Sequence, residues 1–178
     1  MSHYRRSNAA GATFFFTVTT CKRRPVLVED AVRSALRQAI VETRIRFPFE
    51  IHAWVLLPDH LHCLWELPEG DSDFARRWAL IKRQTSQKCS SLFDNSEQSA
   101  SRQRRRELPF WQRRFWEHQI RNDTDFKRHA DYIHWNPVKH GLVRRAADWP
   151  WSTFHRYQAQ GIYSPAWCNM DDGDIGGE

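Results

Sequence analysis

Apolar residues recur along the chain with two different periods, and each period predicts a kind of element. Aromatic and β-branched residues dominate three segments and are typical of strands: "TFFFTVT" (13–19), "FEIHAWVLL" (49–57) and "HLHCLWEL" (60–67). Pro58 and Asp59, between the second and third segments, are turn residues and predict a hairpin. A fourth strand is predicted in "RRFWEHQIR" (113–121).

Two further segments repeat apolar residues at helical spacing. The first is "EDAVRSALRQAIVETRIR", with Asp30 as a candidate N-cap. The second covers about residues 73–89, where Arg77 is expected to turn away from the apolar stripe, together with the neighbouring basic residues. That stripe consists of Phe74, Trp78, Ile81 and Thr85.

A third helix is predicted in "NDTDFKRHADYIHWNPVKHG", which opens with capping residues. We expect it to continue through about residue 135 and to stop near Pro137, or at Gly141 at the latest. Phe126, Ala130 and Ile133 follow one another at spacings of four and three and form a stripe that can dock this helix on the body.

The resulting order is β-α-β-β-α-β followed by an extra helix. It predicts an α+β fold with a ferredoxin-like antiparallel sheet, an added C-terminal helix and an aromatic-rich tail that packs back on the body. In this topology the first and third strands are central, so His60 and His62 lie in the middle of the sheet. We expect residues 1–167 to form one domain with a flexible basic loop at about 94–107, and 168–178 to form a flexible acidic tail.

Composition narrows the class of protein. The chain has 178 residues and a formal net charge of +6, although its last eight residues hold four acids and no base. The remainder is therefore strongly basic, which is typical of proteins that bind polyanions. No apolar run approaches the ~20 residues of a membrane span, no secretory signal is visible, and the four cysteines form no CxxC spacing. We therefore expect a cytoplasmic protein with reduced thiols.

His60 and His62 are the first candidates for a chemical role. Alternate residues of a strand share a face, so the two imidazoles project together, ~6–7 Å apart along the strand, and can converge on one metal ion. Leu61 and Cys63 point to the opposite side. The alternative is a pair of structural histidines, each satisfied by hydrogen bonds.

Tyr132 and Asn136 are the second candidate. They lie four residues apart and therefore share one face of the last predicted helix. A phenol beside a bound cation on a basic protein suggests phosphoryl transfer, with the phenolate as attacking group. The alternative is a tyrosine that is only packed, with its hydroxyl hydrogen-bonded.

Four motifs together resemble the REP-associated tyrosine transposases, bacterial relatives of the single-tyrosine HUH transposases of insertion sequences. They are "HLH" after "AWVLLPD", "RFWEHQIRN", "DYIHWNPVKHGLV" and "WPWSTFHR". The resemblance runs from residue 4 to about residue 167. The polar stretch at 94–107 is longer than the family pattern requires, and we interpret it as an insertion.

The resemblance implies a role for each motif residue. His60 and His62 match the metal ligands of the HUH motif, Tyr132 matches the nucleophile, and Asn136 falls where the polar third ligand arises. The implied substrate is single-stranded DNA with a hairpin, a repetitive extragenic palindrome (REP), next to a short guide sequence. The implied product is a 5′-phosphotyrosine link with a free 3′-OH, from which rejoining needs no nucleotide cofactor. Mg²⁺ or Mn²⁺ suits such a mixed nitrogen and oxygen ligand set. The resemblance leaves monomer or homodimer open.

Basic residues near these motifs are candidates for contact with DNA. The resemblance suggests an N-terminal arm, and charge suggests residues after the first strand and around the fourth, although each can also be a plain surface charge. Lys139 can assist the attacking phenol or be a solvated residue at the helix end. The candidates are Tyr4, Arg5, Arg6, Arg23, Arg24, Arg113, Arg114, Arg121 and Lys139.

Two other functions compete with the enzyme. The first is a catalytically idle protein that binds hairpin DNA in an architectural or regulatory role. The second is a replication initiator or relaxase nuclease, against which the short chain and the "NPVKHG" context argue. The combination of His60, His62 and Tyr132 favours the transposase.

Overall fold

Four strands and four helices form the structure, a computed structural model that describes residues 9–92, 108–164 and 166–167. The strands are β1 (Thr13–Thr19), β2 (Glu50–Leu56), β3 (His60–Glu66) and β4 (Trp116–Gln119), and the helices are α1 (Asp30–Arg46), α2 (Phe74–Lys88), α3 (Asp123–Lys139) and α4 (Phe154–Ala159). The strands form one antiparallel sheet in the order β2-β3-β1-β4. This arrangement confirms the predicted α+β, ferredoxin-like fold, with β1 and β3 central, although the fourth strand is shorter than predicted.

One face of the sheet, which we call the α1/α2 face, packs against α1 and α2. Alternate residues of the two central strands point to it, as the period of a strand requires. The side chains are large and almost completely buried, and the indole of Trp65 stacks on that of Trp78 with centroids 4.2 Å apart. The members of this core from β1, β3 and α2 are Phe14, Phe16, Val18, Leu61, Cys63, Trp65, Phe74, Trp78 and Ile81.

The opposite face, which we call the α3 face, packs against α3 and the C-terminal tail. Ala130 and Ile133 of α3 are buried there, which confirms the predicted docking stripe. The tail runs along the edge of β2, where Leu56 N donates to Trp151 O at 2.9 Å and Thr153 N donates to the Trp54 carbonyl at 2.9 Å. The aromatic tail therefore packs on the body and covers an edge strand.

α3 extends two residues beyond Pro137 instead of stopping before it. A proline in the last turn removes a single hydrogen bond, so its cost is small there. Gly141, with φ +66°, closes the helix: its N–H donates to Val138 O and the Leu142 N–H donates to Pro137 O, both at 2.9 Å. This is the Schellman arrangement, which favours glycine. It keeps Asn136 inside regular helix.

One local expectation was wrong. Asp30 does not cap α1; Glu29 holds the N-cap position without a side-chain bond, while Asp30 is the first helical residue and pairs with Arg33. Arg77, which was predicted only to turn away from the apolar stripe, is 1% exposed, because the Asp71 carboxylate and two backbone carbonyls before β2 accept its guanidinium protons. Burial of a charge is tolerated only with such complete pairing.

Several expectations fall on segments that lie outside the described residues. They are the basic loop at 94–107, the acidic tail at 168–178 and the N-terminal arm with Tyr4, Arg5 and Arg6. Within the part of the chain that is described, no helix is long and apolar enough to cross a membrane.

Candidate active site

The predicted chemical residues meet on the α3 face of the sheet. His60 and His62 project from the same side of β3, with ring centroids 4.9 Å apart. The ring of Tyr132, on α3, has its centroid 5.3 Å from that of His62. Asn136 lies one turn further along α3 and is fully buried. The packing of α3 on β3 therefore brings all four side chains to one place.

Each histidine ring is oriented by a partner at Nδ1. Nδ1 of His62 lies 2.8 Å from Oγ1 of Thr17, which is directly opposite on β1. Nδ1 of His60 lies 2.6 Å from Oδ1 of Asp59, in the turn between β2 and β3. A metal-binding histidine usually donates one ring N–H to such a partner and offers the other nitrogen to the ion. This arrangement leaves Nε2 of both rings available to a metal ion.

Asp59 itself forms an ion pair with Arg23. Nη1 of Arg23 lies 2.9 Å from Oδ2 of Asp59. Burial alone would raise the pKa of the Asp59 carboxyl, but the hydrogen bond and charge of His60, and those of Arg23, lower the pKa below its usual value. The carboxylate is therefore ionised and can act as a negative partner of the His60 ring.

The turn that presents Arg23 is strained. Lys22 and Arg23 have φ values of +56° and +51°, in the left-handed region that non-glycine residues rarely adopt. Thr20 stabilises the turn, because its Oγ1 lies 2.8 Å from Arg24 O and 2.9 Å from Asp59 O. Backbone strain of this kind is concentrated at functional sites, where surrounding contacts maintain it.

His62 is held in its neutral form. Burial is the largest of the causes that lower the pKa of His62 from 6.5 to about 3. The positive charges of His60, His140 and Lys139 contribute to this shift, and the Asn136 side chain opposes it. A metal ion needs the unprotonated imidazole, so the site carries no protonation penalty for metal binding near neutral pH.

The Asn136 side chain has an unsatisfied oxygen. Its Nδ2 donates to the Tyr132 carbonyl at 2.9 Å, which fixes the orientation of the amide because a carbonyl can only accept. Oδ1 is buried and has no hydrogen-bond partner among the described residues. Such an atom costs about 1–3 kcal/mol. Coordination of a cation would remove that cost, so the donor set of two imidazoles and one amide oxygen fits a divalent metal.

The end of α3 supplies two further basic groups. The Lys139 ammonium lies 4.9 Å from the centroid of the Tyr132 ring, and the ring of His140 lies 5.2 Å from that of His60. Burial lowers the pKa of His140, and the charge of His60 adds to this effect. Because α3 ends only after Lys139, both groups are placed beside the tyrosine and the histidine pair.

A cavity of about 690 Å³ opens next to Tyr132. Its walls combine aromatic rings with cationic side chains, a mixture typical of sites that bind single-stranded nucleic acid. His60, His62 and Asn136 are buried and do not line it. The lining residues are Phe15, Thr17, Trp116, His118, Arg121, Asp125, Arg128, His129, Asp131, Tyr132, Trp135, Lys139 and Trp167.

The basic residues predicted to contact DNA occupy three kinds of position. Arg121 and Lys139 line the cavity. Arg23 and Arg24 hold loops near the site, Arg23 through Asp59 and Arg24 through a 2.5 Å hydrogen bond from Nη2 to the carbonyl of Pro109. The exposed Arg113 and Arg114, which precede β4, do not line the cavity.

Sequence reasoning missed the partners of the two histidines. Thr17 faces His62 only because of the register between β1 and β3, which no local pattern reveals. Asp59 had a visible signal, since it directly precedes His60, but it was assigned only to the turn. A cluster of His118, Asp125 and His129 at the start of α3 was also missed.

Comparison with known proteins places the chain in a family. The family described as "Transposase IS200 like" matches residues 11–136. The chain is 47% identical to a REP-associated tyrosine transposase of Escherichia coli (strain K12), over 94% of this chain and 92% of that protein. It is 42% identical to a putative REP-associated tyrosine transposase of Haemophilus influenzae, over 100% of this chain and 99% of that protein.

A solved structure agrees with these matches. It is a REP-associated tyrosine transposase bound to a REP hairpin, and it superimposes with a TM-score of 0.82 at 44% identity, covering 100% of this chain and 95% of that chain. The shared fold and the matched sequence extend over the strands and the helix that carry His60, His62 and Tyr132. The chain therefore belongs to the REP-associated tyrosine transposases within the IS200-like transposase family, and it is a DNA transposase.

Proposed function

We propose that the protein cleaves and rejoins single-stranded DNA next to a REP-type hairpin, with Tyr132 as the nucleophile and a divalent metal held by His60, His62 and Asn136. The observation that carries this proposal is the approach of the Tyr132 ring to the histidine pair, 5.3 Å from His62. Two elements far apart in sequence, β3 and α3, converge there.

The surroundings of the other described tyrosines favour Tyr132. Tyr157 and Tyr163 are both buried in the core under the tail. The Tyr157 hydroxyl donates to the carbonyl of His52 at 3.2 Å, and the Tyr163 hydroxyl donates to Asp131 at 2.7 Å. A phosphate could not reach either oxygen without disrupting the core, whereas Tyr132 is partly exposed and lines the cavity. The remaining tyrosine, Tyr4, lies outside the described residues.

His60 and His62 would hold the metal through Nε2, and Asn136 through Oδ1. Asp59 and Thr17 orient the two rings, so little ordering is needed when the ion binds. When bound, such an ion polarises the scissile phosphate and stabilises the charge that develops on its oxygens. Mg²⁺ and Mn²⁺ both suit the set; the softer nitrogen ligands favour Mn²⁺ of the two.

In the cleavage step the phenolic oxygen of Tyr132 attacks phosphorus. A bond forms between that oxygen and phosphorus while the bond from phosphorus to the 3′ oxygen breaks. The phenol loses its proton to solvent and the leaving oxygen gains one, which gives a 5′-phosphotyrosine and a free 3′-OH. The Lys139 ammonium, 4.9 Å from the ring centroid, stabilises the negative charge of the attacking phenolate. Rejoining is the reverse attack by a 3′-OH.

The REP hairpin enters the proposal through the relative whose solved structure contains one. This chain is 44% identical to that protein over its whole length. Its own basic composition and the cavity with Arg121, Arg128 and Lys139 agree with a nucleic-acid substrate. The single strand that flanks the hairpin fits the aromatic and cationic walls beside Tyr132.

A second candidate function is hairpin binding without catalysis. The same basic surface and the same relative support it. It gives no role to the Asn136 oxygen, which lacks a hydrogen-bond partner among the described residues, or to the neutral, oriented His62, whereas a metal ion would use both.

The test is covalent trapping on a hairpin oligonucleotide with a single-stranded flank in Mg²⁺ or Mn²⁺. We expect the wild-type protein to form a denaturant-resistant adduct that peptide mapping places on Tyr132. Tyr132→Phe should form no adduct and no cleaved strand, yet bind the hairpin within about twofold of wild type, because one oxygen is lost from a partly exposed ring. Tyr157→Phe, a matched change of a buried tyrosine, should retain the adduct.

Other outcomes would contradict the proposal in distinguishable ways. Cleavage by Tyr132→Phe would indicate that water, activated by the metal, is the nucleophile. Tight hairpin binding by wild type without any adduct or cleavage would support the catalytically idle alternative. Absence of hairpin binding would overturn the assignment of the substrate.

A further inference from the structure

A second group of potential metal ligands lies where β4 leads into α3. Nε2 of His118 is 2.9 Å from Oδ2 of Asp125, and Nδ1 of His129 is 3.3 Å from Oδ1 of the same carboxylate. The three ligand atoms all lie within 4.8 Å of one another. None of these residues belongs to the set formed by His60, His62 and Asn136.

We propose that His118, Asp125 and His129 form a second binding site for a divalent transition-metal ion, of which Zn²⁺ is the best probe. Two imidazoles and a carboxylate are ligands that Zn²⁺, Mn²⁺ and Fe²⁺ accept, whereas Mg²⁺ prefers oxygen alone. This site goes beyond the proposed strand transfer and does not depend on it.

The separations between these atoms suit a common ion. Bonds to zinc are about 2.1 Å long, so two ligands of one ion lie about 3.0 Å apart at octahedral angles and about 3.4 Å apart at tetrahedral angles. The observed 2.9 Å and 3.3 Å lie close to these values. The rings of His118 and His129 are nearly parallel, 17° apart, with centroids at 4.7 Å. Little movement is required to close the three groups on an ion.

The local structure holds the carboxylate ready. Asp125 is 7% exposed and lies in the first turn of α3, where Asn122 Oδ1 accepts its backbone N–H at 2.9 Å. The backbone N–H of Arg121 donates to Asp125 Oδ2 at 3.1 Å. A carboxylate offers about four lone pairs, so these donors leave room for an ion. The Arg121 side chain, also near Oδ2, is mostly exposed and easily displaced.

The protonation states also suit an ion. Burial would raise the pKa of Asp125, but hydrogen bonds from His118 and Arg121 outweigh it and keep the pKa well below its usual value. Burial lowers the pKa of His129. The ligand set at neutral pH is therefore an ionised carboxylate with a neutral His129 ring, as metal binding requires.

The alternative is a hydrogen-bonded cluster that only caps α3. In that form His118 Nε2 donates to Asp125, and His129 Nδ1 donates to the Asp125 carbonyl at 2.8 Å. Three side chains from two elements are more than a cap needs, since Asn122 already fills that role. All three also line the cavity beside Tyr132. The free coordination positions of an ion there would accept water or a phosphate oxygen.

The experiment is calorimetric titration of the full chain, without an affinity tag and freed of metal, with Zn²⁺ alone. We expect wild type to bind two ions, His62→Ala to bind one and His129→Gln to bind one. The double variant should bind none with a dissociation constant below about 100 μM. His129→Gln should weaken the second site by at least about tenfold, since loss even of an outer partner costs 10–100-fold.

Controls keep the result interpretable. His52→Ala removes a histidine from the other acidic cluster, Glu50 with His52 and Glu66 at the sheet edge, and should leave two ions bound. His118→Gln changes a half-buried ring in β4 and repeats the test if His129→Gln fails to fold, as judged by circular dichroism.

Each remaining outcome decides the question. One ion in both wild type and His62→Ala, lost in His129→Gln, would support this site while contradicting the metal site of the proposed function. Zinc binding that His129→Gln and His118→Gln leave unchanged would overturn the inference. Loss of an ion in His52→Ala instead would place the second ion at the sheet edge and overturn it as well.

Discussion

The two faces of the sheet use the same strands for different purposes. On the α1/α2 face, β3 contributes Leu61, Cys63 and Trp65 to an apolar core. On the α3 face the same strand contributes His60 and His62, which are just as buried but polar. A step of one residue along β3 separates packing from chemistry, because successive side chains of a strand point to opposite faces. A central strand, held by the apolar core on its other face, thus fixes the two histidines in position.

Both faces bury polar groups, and the two faces differ in where those groups lie. On the α1/α2 face Arg77 is buried with its guanidinium fully paired, while the indole nitrogens of Trp65 and Trp78 have no hydrogen-bond partner among the described residues. On the α3 face the Asn136 oxygen also lacks a donor, which costs about 1–3 kcal/mol, and the pKa of His62 is lowered to about 3. The low pKa of His62 costs stability only below pH 6.5, where the unfolded chain takes up a proton. The unpaired Asn136 oxygen is therefore a penalty at a position where we propose that a metal binds.

The largest expected effect comes from changing the polar face alone. His62→Ala should lower the single-turnover rate of hairpin cleavage by at least about a thousandfold, equivalent to ~4 kcal/mol in the barrier. Its free energy of unfolding at pH 7 should fall by about 1–3 kcal/mol, because a buried ring and its hydrogen bond to Thr17 are lost, and the protein should remain folded. Rapid-quench kinetics and urea unfolding measure the two quantities. Near-normal cleavage would contradict the metal site.

The neighbouring residue provides the matched experiment. Leu61→Ala removes a fully buried side chain from the α1/α2 face and should lower the free energy of unfolding by about 3 kcal/mol, as cavity-forming changes of leucine do. The cleavage rate of the folded protein should remain within about threefold of wild type. If folded Leu61→Ala loses cleavage as fully as His62→Ala, the two faces are not separable in function.

How far the sequence predicts this arrangement depends on the range of the contact involved. The apolar stripe of α2 and the shared face of His60 and His62 follow from local periods, and the structure confirms both predictions. α3 ends at Lys139, between the predicted stop near Pro137 and the outer limit at Gly141, because the Schellman hydrogen bonds of Gly141 and Leu142 outweigh the missing N–H of a proline in the last turn. Local rules therefore give only a range where two of them compete.

Contacts across the sheet could not be predicted. Thr17 meets His62, and His118 meets His129, through strand register and helix docking that depend on the whole core. The burial of Arg77 is a further case, since its partners Asp71 and the carbonyls before β2 lie outside its own helix. The residues for which we propose chemistry are visible in the sequence, and the partners that orient them are not.

A smaller effect tests those partners. Asp59→Asn keeps an acceptor for His60 Nδ1 but removes the negative charge 2.6 Å away, so it should weaken Mn²⁺ binding at this site by about 10–100-fold. The free energy of unfolding should fall by only about 1 kcal/mol, since the half-buried Asp59 side chain loses an ion pair with the largely exposed Arg23. Asp148→Asn, which breaks a surface pair with Arg145, is the control and should leave Mn²⁺ affinity unchanged. Electron paramagnetic titration with Mn²⁺ measures both. Equal affinity in all three proteins would show that the charge of Asp59 does not tune the ligand.

The smallest effect concerns His134, a buried histidine of the α3 face outside the proposed chemistry. Its Nε2 lies 2.8 Å from Thr153 Oγ1 and its Nδ1 lies 3.0 Å from the Tyr163 hydroxyl. Burial, with a smaller contribution from the charge of Arg156, lowers its pKa from 6.5 to about 3. Between these two values the unfolded chain binds a proton that the folded protein does not. Stability contributed by the neutral ring is therefore complete above pH 6.5 and is lost as the pH falls below it, by up to about 1.4 kcal/mol per pH unit.

We expect His134→Gln, which cannot take up that proton, to be less stable than wild type at pH 8 but to lose about 2 kcal/mol less on acidification to pH 5. Urea unfolding at the two pH values measures this difference, in which the shared contribution of His62 cancels. Parallel losses in both proteins would mean that His134 is already accessible to protons in the folded state, and that the tail does not seal this end of the α3 face.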